Sequence, residues 1–267
     1  MVIDCHSHLD DSRLVNFLRS YQSMKEDGLF LEVVSNSVDE ESSLRNLSLS
    51  SVSDGIKAFV GIHPQVFSSE SLTKSLQGAE SKSDKEYWQR RIDRIATLLD
   101  KAKGLGEIGL DPKYGSNEMQ EYIFAKQLEL AEGRSIPITV HSRNSLRRCL
   151  EIFSTFSLRA SRILFHWFAG EPSELREIQD AGHYVSFGLP ILYSRRMQSL
   201  ASASDPLYTL AETDSPLSMD SIWHGFVSTP FAIPSVVFEL GRTLCKTFAE
   251  ASSELDENAR RYLVTQS

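Results

Sequence analysis

Eight short apolar runs alternate with amphipathic stretches along this 267-residue chain, and that alternation limits the possible folds more than any other feature. The runs cover residues 2–5, 29–34, 56–62, 105–110, 136–140, 163–165, 184–187 and 207–211. They are continuous rather than alternating, as strands buried on both faces are. Between them, apolar residues recur at helical spacing. In residues 85–102, for example, Trp88, Ile92, Ile95, Leu98 and Leu99 share one face. Helices are expected over 11–26, 39–51, 85–102, 117–132, 144–154, 173–181, 194–202, 234–249 and 254–264. Eight such units predict an α/β fold, the (β/α)8 TIM barrel, which typically takes about 250 residues. Residues 1–267 then read as a single domain. An open doubly wound sheet could use the same elements. The barrel is favoured because polar candidate residues follow strands one, four, five, six and eight, and only closure brings those strand ends into one small circle.

Composition narrows the function. Hydrophobic residues make up 41% and charged residues 24%, as in soluble globular chains. Twenty-eight basic against 36 acidic side chains leave a formal charge of −8, which argues against a broad nucleic-acid platform but not against a small site with local basic residues. Cys5, Cys149 and Cys245 are odd in number and widely spaced, which suits a reducing compartment. With no signal-peptide pattern and no apolar run of membrane-spanning length, the expected location is the cytoplasm. Residues 67–84, rich in Ser, Lys and Glu, read as a solvated insertion. No glycine-rich nucleotide-binding motif is present.

Five side chains stand where strand-like runs give way to polar loops, and a sixth, Glu107, stands inside such a run. His6 and His8 are two apart, so in extended chain they face the same side and can share one ion. Alone, that pattern equally describes two loop histidines. His141 and His166 each directly follow an apolar run. Imidazole is the usual ligand of borderline divalent ions, and four histidines at three strand ends are harder to dismiss than one. Glu107 lies mid-strand between Gly106 and Gly109. A buried carboxylate needs a partner, which a Lys or Arg inside the barrel could equally supply. Asp214 ends the last run ahead of Pro216, where a turn aspartate is also common. Together these donors suffice for two ions about 3.5–4 Å apart with open positions for water.

His6-Ser7-His8, Gly61-Ile62-His63-Pro64, Gly106-Glu107-Ile108-Gly109-Leu110-Asp111, Val140-His141-Ser142-Arg143, His166-Trp167-Phe168-Ala169-Gly170 and Glu212-Thr213-Asp214-Ser215-Pro216 occur in order. In order and context this set resembles the TatD family of metal-dependent deoxyribonucleases, within the amidohydrolase superfamily. The likeness runs from residue 2 to about 217, with an echo in Asn258-Ala259-Arg260. It implies a hydrolase that cleaves DNA phosphodiesters, usually exonucleolytically, with a metal-activated water. It also implies two divalent ions (Mg²⁺, Mn²⁺ or Zn²⁺), with His6, His8 and Asp214 on one, His141 and His166 on the other, and Glu107 bridging.

Asp214 is then placed to accept a proton from water, and His63 and Arg143 to contact phosphate, Arg with its planar fork. The expected substrate is DNA, as single strands or frayed ends. Trp167 could stack on a base or pack under the rim, and His224 and Trp223 could line the pocket. His183 opens strand seven at the opposite barrel end and reads as structural. The chain departs from the family in the loop after strand eight, which reads Val227-Ser228-Thr229-Pro230-Phe231-Ala232-Ile233-Pro234 instead of carrying an Asn-Glu-Pro segment. It departs again at Pro112-Lys113 after the Gly-Leu-Asp motif. Two alternatives stay open: a barrel hydrolase of another ester or amide, such as a lactone or phosphotriester, and a non-catalytic metal-binding relative.

Overall fold

The computed structural model describes residues 2–26, 31–68, 85–115, 117–158, 161–219 and 222–264. The expected insertion lies, from residue 69 to 84, outside the described residues.

Eight parallel strands pair in sequence order: β1 Val2–Ser7, β2 Leu31–Ser35, β3 Ile56–Val60, β4 Gly104–Gly109, β5 Pro137–His141, β6 Arg162–Phe165, β7 Tyr184–Phe187 and β8 Thr209–Ala211. Beyond β8 the bridge between Ser7 and Ser215 brings the ends of the sheet together, so the barrel is nearly closed. The described helices are α1 Val15–Glu26, α2 Glu40–Val52, α3 Lys85–Leu99, α4 Asn117–Ala131, α5 Leu146–Phe153, α6 Pro172–Asp180, α7 Arg195–Ala203, α8 Ile233–Thr243 and α9 Phe248–Leu263.

Local signals explain the element ends. α2 begins in a capping box, where Asp39 accepts from the Ser42 amide and Ser42 answers toward the Asp39 backbone. α3 buries Trp88, Ile92, Ile95 and Leu99, a stripe at helical spacing that presses the helix on the sheet. The expected helix over 234–249 stops instead at Thr243. Cys245 takes a left-handed φ of 56° and Thr247 caps α9 through Glu250, so the chain turns before the last helix. β8 starts at Thr209 rather than 207, because Pro206–Tyr208 forms a 3-10 turn capped by Asp205.

The last helix closes the barrel floor. Ala259, Tyr262 and Leu263 of α9 pack with Ile3, Cys5, Phe59, Leu164, Tyr184 and Leu210 from the strands. Tyr262 and Thr139 share a hydrogen bond of 2.9 Å, and Asn258 donates to the carbonyls of Pro206 and Thr209. The Asn258 motif is therefore a strut between α9 and the start of β8. His183 sits just before β7, at this same end, as expected. With the floor filled, the open end is the one from which the loops after the strands emerge. No helix among the described residues is long and apolar enough to cross a membrane.

Candidate metal centre

β4 carries the central carboxylate. All six of its residues are buried, and Glu107 is 2% exposed. Two glycines let the strand pass. A Cβ on Gly109, whose φ is +143°, would lie 1.9 Å from the His141 carbonyl oxygen. One on Gly106 would lie 2.7 Å from Asn36 Oδ1 and 2.9 Å from Thr139 Cβ. The glycines flanking Glu107 are thus required by close approach of neighbouring strands. The Gly106–Glu107 peptide is cis.

The structure gathers the other five expected donors about this carboxylate. His6 Nε2 and His8 Nε2 are 3.3 Å apart, and each lies 3.3 Å from Glu107 Oε2. Asp214 Oδ1 lies 3.4 Å from His6 Nε2 and 3.5 Å from His8 Nε2. A regular tetrahedron with metal–ligand distances of about 2.0–2.1 Å has edges of about 3.3–3.4 Å. The five separations among these four donors match such edges, and they are longer than good hydrogen bonds.

On the other side, Glu107 Oε1 is 2.7 Å from His141 Nδ1 and 2.8 Å from His166 Nε2, and those nitrogens are 3.3 Å apart. Two of these edges are hydrogen-bond lengths. This group has the right donors for an ion but is drawn in more tightly than the first. Every ion-pair partner of Glu107 among the described residues is a histidine, so the Lys or Arg that could have explained a buried glutamate is not what holds it.

His63 also enters the centre. Its Nδ1 accepts the Gln65 amide at 3.0 Å, so the neutral ring carries its proton on Nε2, which faces Glu107 Oε1 at 3.3 Å. That tautomer is a donor, not a ligand. Arg143, half exposed, rests its Nε 3.5 Å from Asp111 Oδ2 at the edge of the site. Trp167 has a φ of 47° and its ring lies against Gly188, in van der Waals contact beneath the rim. Trp223 and His224 are exposed in the loop after β8, with Trp223 edge-on to Tyr193 and Phe226.

The electrostatics show a cluster built around negative charge. Burial alone would raise Glu107, but the surrounding imidazoles of His63, His166, His6 and His141 hold it well below the usual carboxylate range. Burial would likewise raise Asp214, and His6 and His8 pull it down. Burial lowers His8, yet Asp214 and Glu107 outweigh it and hold the ring at about 10. His141 and His166 are raised against burial, by Asp111 with Glu107 and by Glu107 with Glu212 respectively. His63 goes the other way, pushed down to about 4 chiefly by burial, and stays neutral. Without cations, protons on imidazoles balance the carboxylates; binding ions would expel those protons.

Several residues that carry the site escaped the sequence reading. Asp4, fully buried, accepts the Thr213 amide at 2.9 Å and the Thr213 hydroxyl at 2.6 Å, fastening the segment that bears Glu212 and Asp214. Asp214 itself takes a φ of 49°, a left-handed conformation that costs a non-glycine residue of order 1–3 kcal/mol and persists because its neighbours hold it. Asp111 Oδ2 meets His141 Nε2 at 3.1 Å, and the Asn36 carbonyl meets His8 Nδ1 at 3.0 Å. Asp111 was visible as part of the Gly-Leu-Asp motif; a carboxylate two residues past a strand is the signal that could have marked it.

A parallel eight-stranded barrel with a histidine–carboxylate cluster at its open end is the arrangement of a metal-dependent hydrolase. The sequence model of the family described as "TatD related DNase" matches residues 3–264, and the chain belongs to that family. An uncharacterised metal-dependent hydrolase of Methanocaldococcus jannaschii is 31% identical over 54% of this chain and 57% of its own length. The human deoxyribonuclease TATDN3 is 26% identical over 80% of this chain and 78% of its own. The crystal structure of YJJV, a TatD homologue from Escherichia coli, superposes with a TM-score of 0.79 at 20% identity, covering 98% of this chain and 97% of that one.

Proposed function

We propose that this protein hydrolyses DNA phosphodiesters at two divalent ions, with His6, His8 and Asp214 holding one, His141 and His166 the other, and Glu107 between them. The observation that carries the reading is that His6 Nε2 and His8 Nε2 lie 3.3 Å from each other and each 3.3–3.5 Å from Glu107 Oε2 and from Asp214 Oδ1. Divalent ions there supply Lewis acidity toward a phosphoryl oxygen and a lowered pKa for water. Four imidazole nitrogens favour zinc over magnesium, with manganese between.

The chain's own residues do the rest. Asp214, at 22% the most exposed of the donor carboxylates, is placed to take a proton from water. His63 presents an N–H into the site, and Arg143 a half-exposed guanidinium at its edge. Both suit the non-bridging oxygens of a phosphate. The donors lie deep, with His6 fully buried and His166 7% exposed, so a single strand or frayed end reaches them more readily than a phosphate on an intact duplex. The family name and the human relative's name support DNA as the substrate. The three free cysteines suit a reducing cytoplasm.

The test is cleavage of a labelled single-stranded oligonucleotide by protein loaded with Zn²⁺ or Mn²⁺, with and without chelator. Shortening that chelator abolishes is expected. Turnover of small esters or lactones with the oligonucleotide left intact would transfer the site to the other ester hydrolases. Metal binding with no turnover of either would leave a binding protein.

A further inference from the structure

The ligand rings that meet Glu107 must also dispose of their second nitrogens. A histidine that offers one nitrogen to a cation carries its proton on the other, and a buried N–H needs an acceptor. For two rings the acceptor is plain. His8 Nδ1 has the Asn36 carbonyl at 3.0 Å, and His141 Nε2 has Asp111 Oδ2 at 3.1 Å. His6 Nδ1 and His166 Nδ1 are buried and have no hydrogen-bond partner among the described residues.

One buried acceptor is in the same position. Glu212 is fully buried, and its Oε2 takes a hydrogen bond from Ser186, while Oε1 has none. His166 Nδ1 stands 3.4 Å from that Oε1. The rings of His6 and His166 stack, with centroids 3.8 Å apart and planes 11° apart, and both turn Nε2 toward Glu107. One nitrogen of His6, one of His166 and a Glu212 oxygen lie within 4.8 Å of one another. The nitrogen of His6 that lacks a partner is Nδ1; unlike His166 it stands beyond 4.0 Å from Glu212, so the second contact closes only when the ring or the carboxylate shifts.

We propose that Glu212 is a positioning residue shared by both ions, its Oε1 receiving the Nδ1–H of His6 and of His166 and thereby turning both Nε2 lone pairs into the centre. A single carboxylate then fixes one ligand ring of each ion. The arrangement differs from Asp111 and Asn36, each of which serves one ring. Ser186 holds the other oxygen of Glu212, and Asp4, through Thr213, holds the backbone beside it. The inference rests on the two-ion reading above.

The test reads metal binding without DNA. Zn²⁺ is titrated into wild-type, Glu212→Gln and Asp111→Asn protein against a chromogenic chelator. Glutamine keeps the shape but loses the charge. Glu212→Gln is expected to weaken both ions by about 10–100-fold each, whereas Asp111→Asn weakens one. Loss at one ion only, or at neither, would overturn the shared role. Because the variant could fail to fold, wild-type Zn²⁺-loaded protein with ¹⁵N-labelled histidine gives a second reading by NMR. Both His6 and His166 should be Nδ1–H tautomers with protons protected from solvent; either ring as the Nε2–H form would refute the proposal. A wild-type protein that binds fewer than two ions would refute the underlying two-ion reading as well, and shows itself before any variant is made. Failure of DNA cleavage alone touches neither measurement.

Discussion

Removing the side chain of Asp4 should damage the metal centre from a distance. Asp4 touches none of the donor side chains. It holds Thr213, between Glu212 and Asp214, by accepting the amide at 2.9 Å and the hydroxyl at 2.6 Å. Both Asp4 and Thr213 are fully buried. In Asp4→Ala three buried donors lose this acceptor, the Thr213 amide and hydroxyl and, at a longer 3.4 Å, the His6 amide; the two short bonds cost about 1–3 kcal/mol each, or about 2–6 kcal/mol together. At this chain length roughly 2 °C is lost per kcal/mol, so the melting temperature should fall by about 4–12 °C. Asp4→Asn keeps an oxygen for the amide and should fall between that and wild type.

The left-handed backbone at Asp214 persists only while the segment is held, so Zn²⁺ affinity should drop by about 10-fold or more in the alanine variant. Thermal denaturation followed by circular dichroism, with a chelator competition on the same samples, measures both. An unchanged melting temperature would refute the energetics. A lowered one with wild-type affinity would refute the claim that Asp4 positions the metal-binding segment.

Other consequences are simpler. In native protein a maleimide should label Cys245 alone, since Cys5 and Cys149 are buried and burial pushes the Cys149 thiol up to about 12; prompt labelling of either would contradict their placement. Arg143→Ala should lower kcat/KM on an oligonucleotide by about 10- to 100-fold with metal content unchanged, and Arg143→Lys should restore only part, lacking the fork. Burial lowers His183 below its ordinary 6.5, so between that value and its folded pKa the unfolded chain binds more protons. Its contribution to stability is therefore lost as pH falls below 6.5, and melting curves of His183→Asn should be flatter there than wild type. Identical slopes would remove His183 from the acid sensitivity.

The barrel was legible because each buried parallel strand writes its own continuous apolar run, and because the helix stripes, such as Trp88 to Leu99, repeat at a distinct period. Four histidines and Asp214 were legible for a related reason, since a polar side chain at or just past the end of such a run sits near the mouth; Glu107 stood out instead as a carboxylate inside a run. What the runs could not reveal was pairing at long range. Asp4 lies 209 residues from Thr213, and nothing near Val2-Ile3-Asp4 marks its carboxylate as a strut. In the sequence Glu212 is only a neighbour of Asp214, since its partners Ser186 and His166 come from other strands. His63 was read as a phosphate contact; its tautomer, fixed by the Gln65 amide, emerges only from the turn geometry. The break at Cys245 escaped because apolar spacing runs on through 234–249 while the Thr247 capping box ends it.

Two ions joined by Glu107, as proposed, must both loosen when its carboxylate is removed. Metal content measured on wild-type and Glu107→Ala protein, both loaded with excess Zn²⁺, freed of unbound ion and checked for folding, tests this directly. Two ions per wild-type chain and loss of tight binding at both positions in the variant is the predicted result. A folded Glu107→Ala protein that still holds two ions with wild-type affinity would contradict it.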